Sequence, residues 1–159
     1  MSVTPCLLFN DQAEAAVAFY LSVFPNSRVL STLRAGDNGP FAPGAVVMQV
    51  FELDGQRLHA LNCGADFAFT EALSLVAACE TQAEIDRVWD RLCDGGAPHV
   101  CGWLKDRYGV SCQVVPTALD RLMTGDPAAA ARVLQAVMGM TKIDLAALER
   151  AHAGEPATA

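Results

Sequence analysis

The chain has 159 residues, of which 52% are apolar, and carries a formal charge of −7. That length allows one sizeable core, or two half-sized modules sharing one, and excludes two independent enzyme domains, while the apolar share excludes disorder. The acidic balance disfavours nucleic acid and anionic membrane, leaving small molecules and proteins as partners.

Residues 3–9 are an apolar strand, and Asp11-Gln12-Ala13-Glu14 then places an acceptor side chain three residues before a Glu, the pattern of a capping box. A helix should start there, with Ala13, Ala16, Val17, Tyr20, Val23 and Phe24 on its apolar side and Pro25-Asn26 as its stop. Residues 28–34 read as a strand, and residues 35–44, with three Gly and two Pro, as a loop. Residues 45–53 form a β-rich run that meets the hairpin signal Asp54-Gly55, and residues 56–62 return as the next strand.

The second half repeats this order. An apolar strand at 72–79 leads to a second capping box, Thr81-Gln82-Ala83-Glu84, and a helix with Ile85, Val88, Trp89 and Leu92 at helical spacing, ended by Gly95-Gly96. Short strands at 98–101 and 102–105, a turn at 106–109 and a last strand at 110–115 follow, and Pro116 closes the sheet. Gln-Ala-Glu recurs 70 residues apart at the same place in both halves, and Gly55 and Gly109 each precede an apolar strand. Agreement between a short repeat and the element order argues for duplication. A ferredoxin-like domain of alternating hairpins and helices is the alternative.

Beyond Pro116, residues 127–140 form an alanine-rich helix and a second short helix runs to about residue 151, capping the sheet or a partner subunit. The expected organisation is a single domain over 1–151, with module one at about 1–66, module two at about 67–116, C-terminal helices at about 117–151 and a tail at 152–159. No apolar run approaches the roughly 20 residues that cross a bilayer, and Met-Ser-Val-Thr-Pro lacks the features of a signal peptide, so the cytoplasm is the expected compartment. Six cysteines without any Cys-x-x-Cys read as reduced thiols.

Several stretches resemble the PhnB-like branch of the vicinal oxygen chelate superfamily, also labelled 3-demethylubiquinone-9 3-methyltransferase-like: residues 5–9, residues 13–25 with Phe-Tyr and Val-Phe-Pro, and Ala60-Leu61-Asn62. More specific are Trp89-Asp90 with Gly95-Gly96, the run from Cys101 through Gly102-Trp103-Leu104-Lys105-Asp106 to Gly109, and Lys142-Ile143-Asp144-Leu145. The resemblance implies an α+β fold of two βαβββ modules, the glyoxalase and bleomycin-resistance fold, with a C-terminal helical segment, a pocket enclosed by curved sheets, and a homodimer. The methyltransferase label is set aside, because no glycine-rich strand-to-helix loop of the kind that cradles S-adenosylmethionine occurs.

Enzymes of that superfamily hold a divalent metal with side chains from the first and last strand of each module, the metal serving as a Lewis acid. The last-strand position, four residues after the turn glycine, gives His59 and Gln113 here. The first-strand position of module one falls near Thr4 or Pro5, neither a useful ligand, and that of module two at Glu71 or Ser74. Strand alternation would put Glu71 and Ser74 on opposite faces, with Glu71 the better ligand. His59, Glu71 and Gln113 are thus a weak candidate set for a divalent metal, the one cofactor the resemblance admits.

Without a metal, His59 could act as a general base, imidazole having an ordinary pKa of about 6.5, or simply point at a loop or solvent. Asn62 and Cys63 lie at the mouth of the same strand, and Trp103 is either a flat wall for an organic ligand or core. Trp89 reads as core, Cys112 as a cavity lining without an activating base, and Lys105-Asp106-Arg107 as a solvated turn. Ligand-binding candidates are therefore Asn62, Glu71, Trp103 and Gln113, and His59 is the catalytic candidate. The favoured reading is a small-molecule-binding protein with unproven activity, against a metal-dependent lyase, isomerase or dioxygenase of glyoxalase type and a non-catalytic dimeric interaction module.

Overall fold

A computed structural model describes Met1, residues 3–65 and residues 67–156. The last three positions of the expected tail lie outside the described residues. The chain divides into two compact units, Met1–Ala68 and Phe69–Ala159.

The first unit contains β1 (Cys6–Phe9), α1 (Ala13–Val23), β2 (Arg28–Arg34), β3 (Val46–Leu53) and β4 (Gln56–Asn62). Its sheet has the order β1-β4-β3-β2, with β1 parallel to β4 and the other pairs antiparallel. Ala13, Ala16, Val17, Tyr20 and Val23 of α1 are buried, and Tyr20 stacks on Phe51 of β3 with ring centroids 6.4 Å apart. Side chains alternate across a strand, so Leu58, Ala60 and Asn62 of β4 are buried while His59 and Leu61 between them are partly exposed. β2 is exposed along its whole length.

The first capping box does not form. Gln12 occupies the N-cap position without a side-chain bond, and Glu14 pairs instead with Arg34 at 2.7 Å. The helix start is satisfied from a distance: Asn62 Oδ1 accepts from the Ala13 amide at 2.9 Å, and Asn62 Nδ2 donates to the Val46 carbonyl at 2.9 Å. A side chain at the end of β4 thereby does the work a local cap would do.

The second unit repeats the plan with β5 (Leu75–Cys79), α2 (Gln82–Cys93), β6 (Ala97–Pro98), β7 (Trp103–Lys105) and β8 (Ser111–Pro116), in the order β5-β8-β7-β6. Here a side-chain cap forms: Thr81 accepts from the Glu84 amide at 3.2 Å, and Glu84 reaches back to the amide of Glu80, the residue before the N-cap, at 2.7 Å. Ile85, Val88, Trp89 and Leu92 are the buried residues of α2, and Leu104, Cys112, Val114 and Pro116 are buried apolar residues of β7 and β8.

The C-terminal helices, α3 (Leu119–Leu122), α4 (Pro127–Met138) and α5 (Leu145–Ala153), share a core of Leu122, Val133, Ile143 and Leu148. The sequence reading missed α3, a single short turn, and ended α5 two residues early. Gln82 fastens this segment to α2, donating to the Ile143 carbonyl at 3.1 Å and accepting from the Leu145 amide at 2.9 Å. Lys142 adds an ion pair to Asp86 at 2.8 Å. The Cys101 and Gly102 amides donate to the Met140 and Thr141 carbonyls at 2.7 and 2.9 Å, which fixes the turn between β6 and β7. Gly102 has φ +76, and a Cβ there would stand 2.7 Å from the Val114 carbonyl oxygen, so both backbone and space require glycine.

Candidate functional site

Because the two sheets share one topology, His59 and Gln113 occupy equivalent places, each on the strand beside the first. His59 is registered between Cys6 and Val50, and Gln113 between Val76 and Trp103. Their ladder partners on the first strands are Cys6 and Val76, and the expected Ser74 lies two residues before Val76. Pro5 contributes only its carbonyl, which accepts from the His59 amide at 2.9 Å.

Gln113 Nε2 donates to Ser74 Oγ at 2.8 Å. Glu71 does not obey the alternation expected of it, because β5 begins only at Leu75 and Glu71 lies in the preceding turn. Its carboxylate reaches Lys105 Nζ at 2.6 Å, and that hydrogen bond holds the Glu71 carboxyl below the usual carboxylate range. Lys105 and Trp103 alternate with buried Leu104 on β7, so they share the face that also carries Gln113. The turn is not merely solvated. Asp106 is buried and accepts from the Tyr108 and Val110 amides at 2.8 and 2.9 Å, and Arg107 pairs with Asp94.

A groove of about 310 Å³ opens beside this strand, lined by Glu71, His99, Val100, Trp103, Lys105 and Ser111 among others. Trp103 and Val100 supply apolar surface, and Lys105, His99 and Ser111 supply donors. The sequence reading named Glu71 and Trp103 but missed His99, Lys105 and Ser111. Register against Trp103 could have signalled Lys105 two residues on, whereas His99 and Ser111 carry no local signature.

The other candidates are placed elsewhere. Asn62 is 7% exposed, belongs to the buried side of β4 and has both ends of its amide engaged in the α1 start. Cys63 Sγ donates to the Phe9 carbonyl at 3.3 Å. Trp89 is buried on α2. Cys112 is buried, and burial first, then Asp106, pushes its thiol far above the range in which a thiolate forms.

A resident metal would need about four donors, of which thiolate, imidazole and carboxylate are the strong ones. In the first unit the register brings Cys6 to His59, and in the second the Gln113 amide is turned to Ser74 and the Glu71 carboxylate to a cation. No group of three or more His, Cys, Asp or Glu side chains fit to hold a metal ion occurs among the described residues. Within neither unit do the described donors make up the set that a resident divalent metal needs.

Paired four-stranded sheets of identical order, each backed by a helix, define the α+β class of the vicinal oxygen chelate superfamily, the glyoxalase and bleomycin-resistance fold. A family model described as 3-demethylubiquinone-9 3-methyltransferase matches residues 1–115, and the chain belongs to that family, the PhnB-like branch of the superfamily. The C-terminal helices lie beyond the matched residues. The PhnB protein of Bacillus cereus is 36% identical over 74% of this chain and 100% of its own, with a TM-score of 0.69. Protein PA1353 of Pseudomonas aeruginosa is 19% identical over 73% of this chain and 97% of its own, at a TM-score of 0.62. A variant of the fosfomycin resistance protein FosX of Listeria monocytogenes, complexed with Mn(II) and 1S,2S-dihydroxypropylphosphonic acid, is 14% identical over 77% of this chain and 97% of its own, at a TM-score of 0.56. The last two share the fold. No curated protein matches the chain.

Proposed function

We propose that the protein binds a small organic molecule in the groove of its second unit, without a metal. The observation that carries this reading is the groove itself, in which an indole wall stands beside a few polar groups, the usual composition of a small-molecule site. Methyl transfer is not part of the proposal. The turns before α1 and α2, Asn10-Asp11-Gln12 and Glu80-Thr81, contain no glycine to cradle a nucleotide-like cofactor. The Mn(II) of the Listeria protein is not carried over either, given the donors found here.

The cytoplasm and a homodimer belong to the same proposal. Six free cysteines suit a reducing compartment, and no helix among the described residues is long and apolar enough to cross a membrane. Val76, 58% exposed on an open strand, and Leu33, 54% exposed on β2, suit burial against a second copy, which sedimentation would detect.

The test of the binding reading is tryptophan fluorescence during titration with small aromatic compounds. Trp103 lines the groove and Trp89 is buried, so binding should quench the wild type and leave Trp103→Phe unaffected. A response that persists in Trp103→Phe would place the ligand elsewhere. Dialysis against Mn(II), Zn(II) and Ni(II) should leave less than one bound ion per chain, and stoichiometric retention would restore the metal reading.

A further inference from the structure

We infer that the groove selects organic anions with a flat apolar body, and that Glu71 is a built-in stand-in for the ligand's carboxylate on Lys105. This deepens the binding proposal and rests on it. The two members of the ion pair are held very differently. Lys105 belongs to β7, registered between Ala97 and Ser111, and its side chain is 33% exposed, whereas Glu71 lies in a turn and its side chain is 59% exposed. Backbone pairing on both sides fixes the cation in the groove wall, while the carboxylate can leave by rotating into water. An ion pair this open to solvent contributes little to stability, so exchanging one carboxylate for another is cheap.

The remaining polar lining favours the same sign of ligand. Ser111 is held by the sheet and buried, and its hydroxyl makes only a long contact of 3.4 Å to the Thr70 carbonyl, leaving it free to turn toward a stronger acceptor. His99 lines the groove with Glu71 and Lys105, and its imidazole N–H can donate to a ligand carboxylate there. Trp103 stands two residues from Lys105 on the same face of β7, so a ring lying on the indole can extend an attached carboxylate to the ammonium. A ligand cation, by contrast, would find Glu71 already neutralised and Lys105 beside it.

Three probes of matched shape test this: 2-naphthoate, 2-naphthylmethanol and 2-naphthylmethylammonium, titrated at pH 7.5 and low salt by quenching of Trp103. The expected result is naphthoate binding at least about tenfold more tightly than either other probe, a difference of about 1.4 kcal/mol. Glu71→Gln, by removing the competitor, should tighten naphthoate several-fold and leave the alcohol unchanged. Lys105→Met should abolish the preference and Lys105→Arg should retain it, with circular dichroism confirming that each variant folds. Equal or tighter binding of the alcohol or the ammonium, or weaker naphthoate binding in Glu71→Gln, overturns the inference and leaves the binding proposal standing. Failure of all three probes to bind removes both. The wild-type series and Glu71→Gln decide the matter even if the Lys105 variants do not fold.

Discussion

Replacing Asn62 by leucine, which has nearly the same volume, removes a polar group from the buried side of β4 without opening a cavity. The Ala13 amide then loses the acceptor that starts α1, and the Val46 carbonyl loses its donor from Asn62. Each buried group left unpaired costs about 1–3 kcal/mol, and part of this is the value of a helix cap, about 1 kcal/mol. The expected loss is therefore ~3 kcal/mol. With a urea slope of ~2 kcal/mol per molar, that moves the unfolding midpoint down by about 1.5 M. Urea unfolding of the whole chain followed by circular dichroism is the assay, and probe binding to the groove of the second unit is the control, expected unchanged in the folded variant. A loss below about 1 kcal/mol would refute the capping account, and a lost ligand site at unchanged stability would make Asn62 a binding residue after all.

Thr81→Ala should destabilise the second unit by about 1 kcal/mol in urea, whereas Gln12→Ala should change the first by less than ~0.3 kcal/mol, because only Thr81 makes a cap bond. Gly102→Ala should cost ~2 kcal/mol or more from the left-handed backbone and the contact with the Val114 carbonyl, and should weaken groove ligands through the displaced turn. The Asp86 carboxyl is held below its ordinary range by the hydrogen bond from Lys142, so its stabilising contribution is present above the unfolded carboxylate pKa and lost as pH falls through the lower folded value. The attachment of the C-terminal helices, read by hydrogen exchange in α5, should accordingly loosen slightly on acidification and not between pH 6 and 8. Cys112 should resist thiol reagents at pH 8 until the protein unfolds, since its burial disfavours the thiolate.

The doubled architecture was legible because its signals are local and periodic. Spacing of Ile85, Val88, Trp89 and Leu92 names the buried stripe of α2, and Asp54-Gly55 names the hairpin between β3 and β4. The repeated Gln-Ala-Glu marks equivalent places, yet its side chains do different work. Gln82 fastens the start of α5, Gln12 makes no cap, and Glu14 leaves the helix start for Arg34. Those differences depend on partners 20 to 63 residues away, which no local pattern encodes.

The site was less legible for the same reason. Counting from turn glycines finds His59 and Gln113, but the register that pairs them with Cys6 and Val76 appears only once the strands are aligned. Alternation failed at Glu71 because the strand starts four residues later, and its ion pair with Lys105, 34 positions on, is a tertiary contact. Trp103 could be read either as core or as wall, and only its place on the face opposite Leu104 separates the two.

Calorimetry on chelator-treated protein tests the central claim most directly, with 2-naphthoate titrated into the wild type and into Trp103→Ala. Saturable binding at one site per chain is expected in the metal-free wild type, with affinity unchanged on adding Mn(II) and lost in the variant. Absence of heat in the metal-free protein, or binding that arises only after Mn(II) is added, would contradict it.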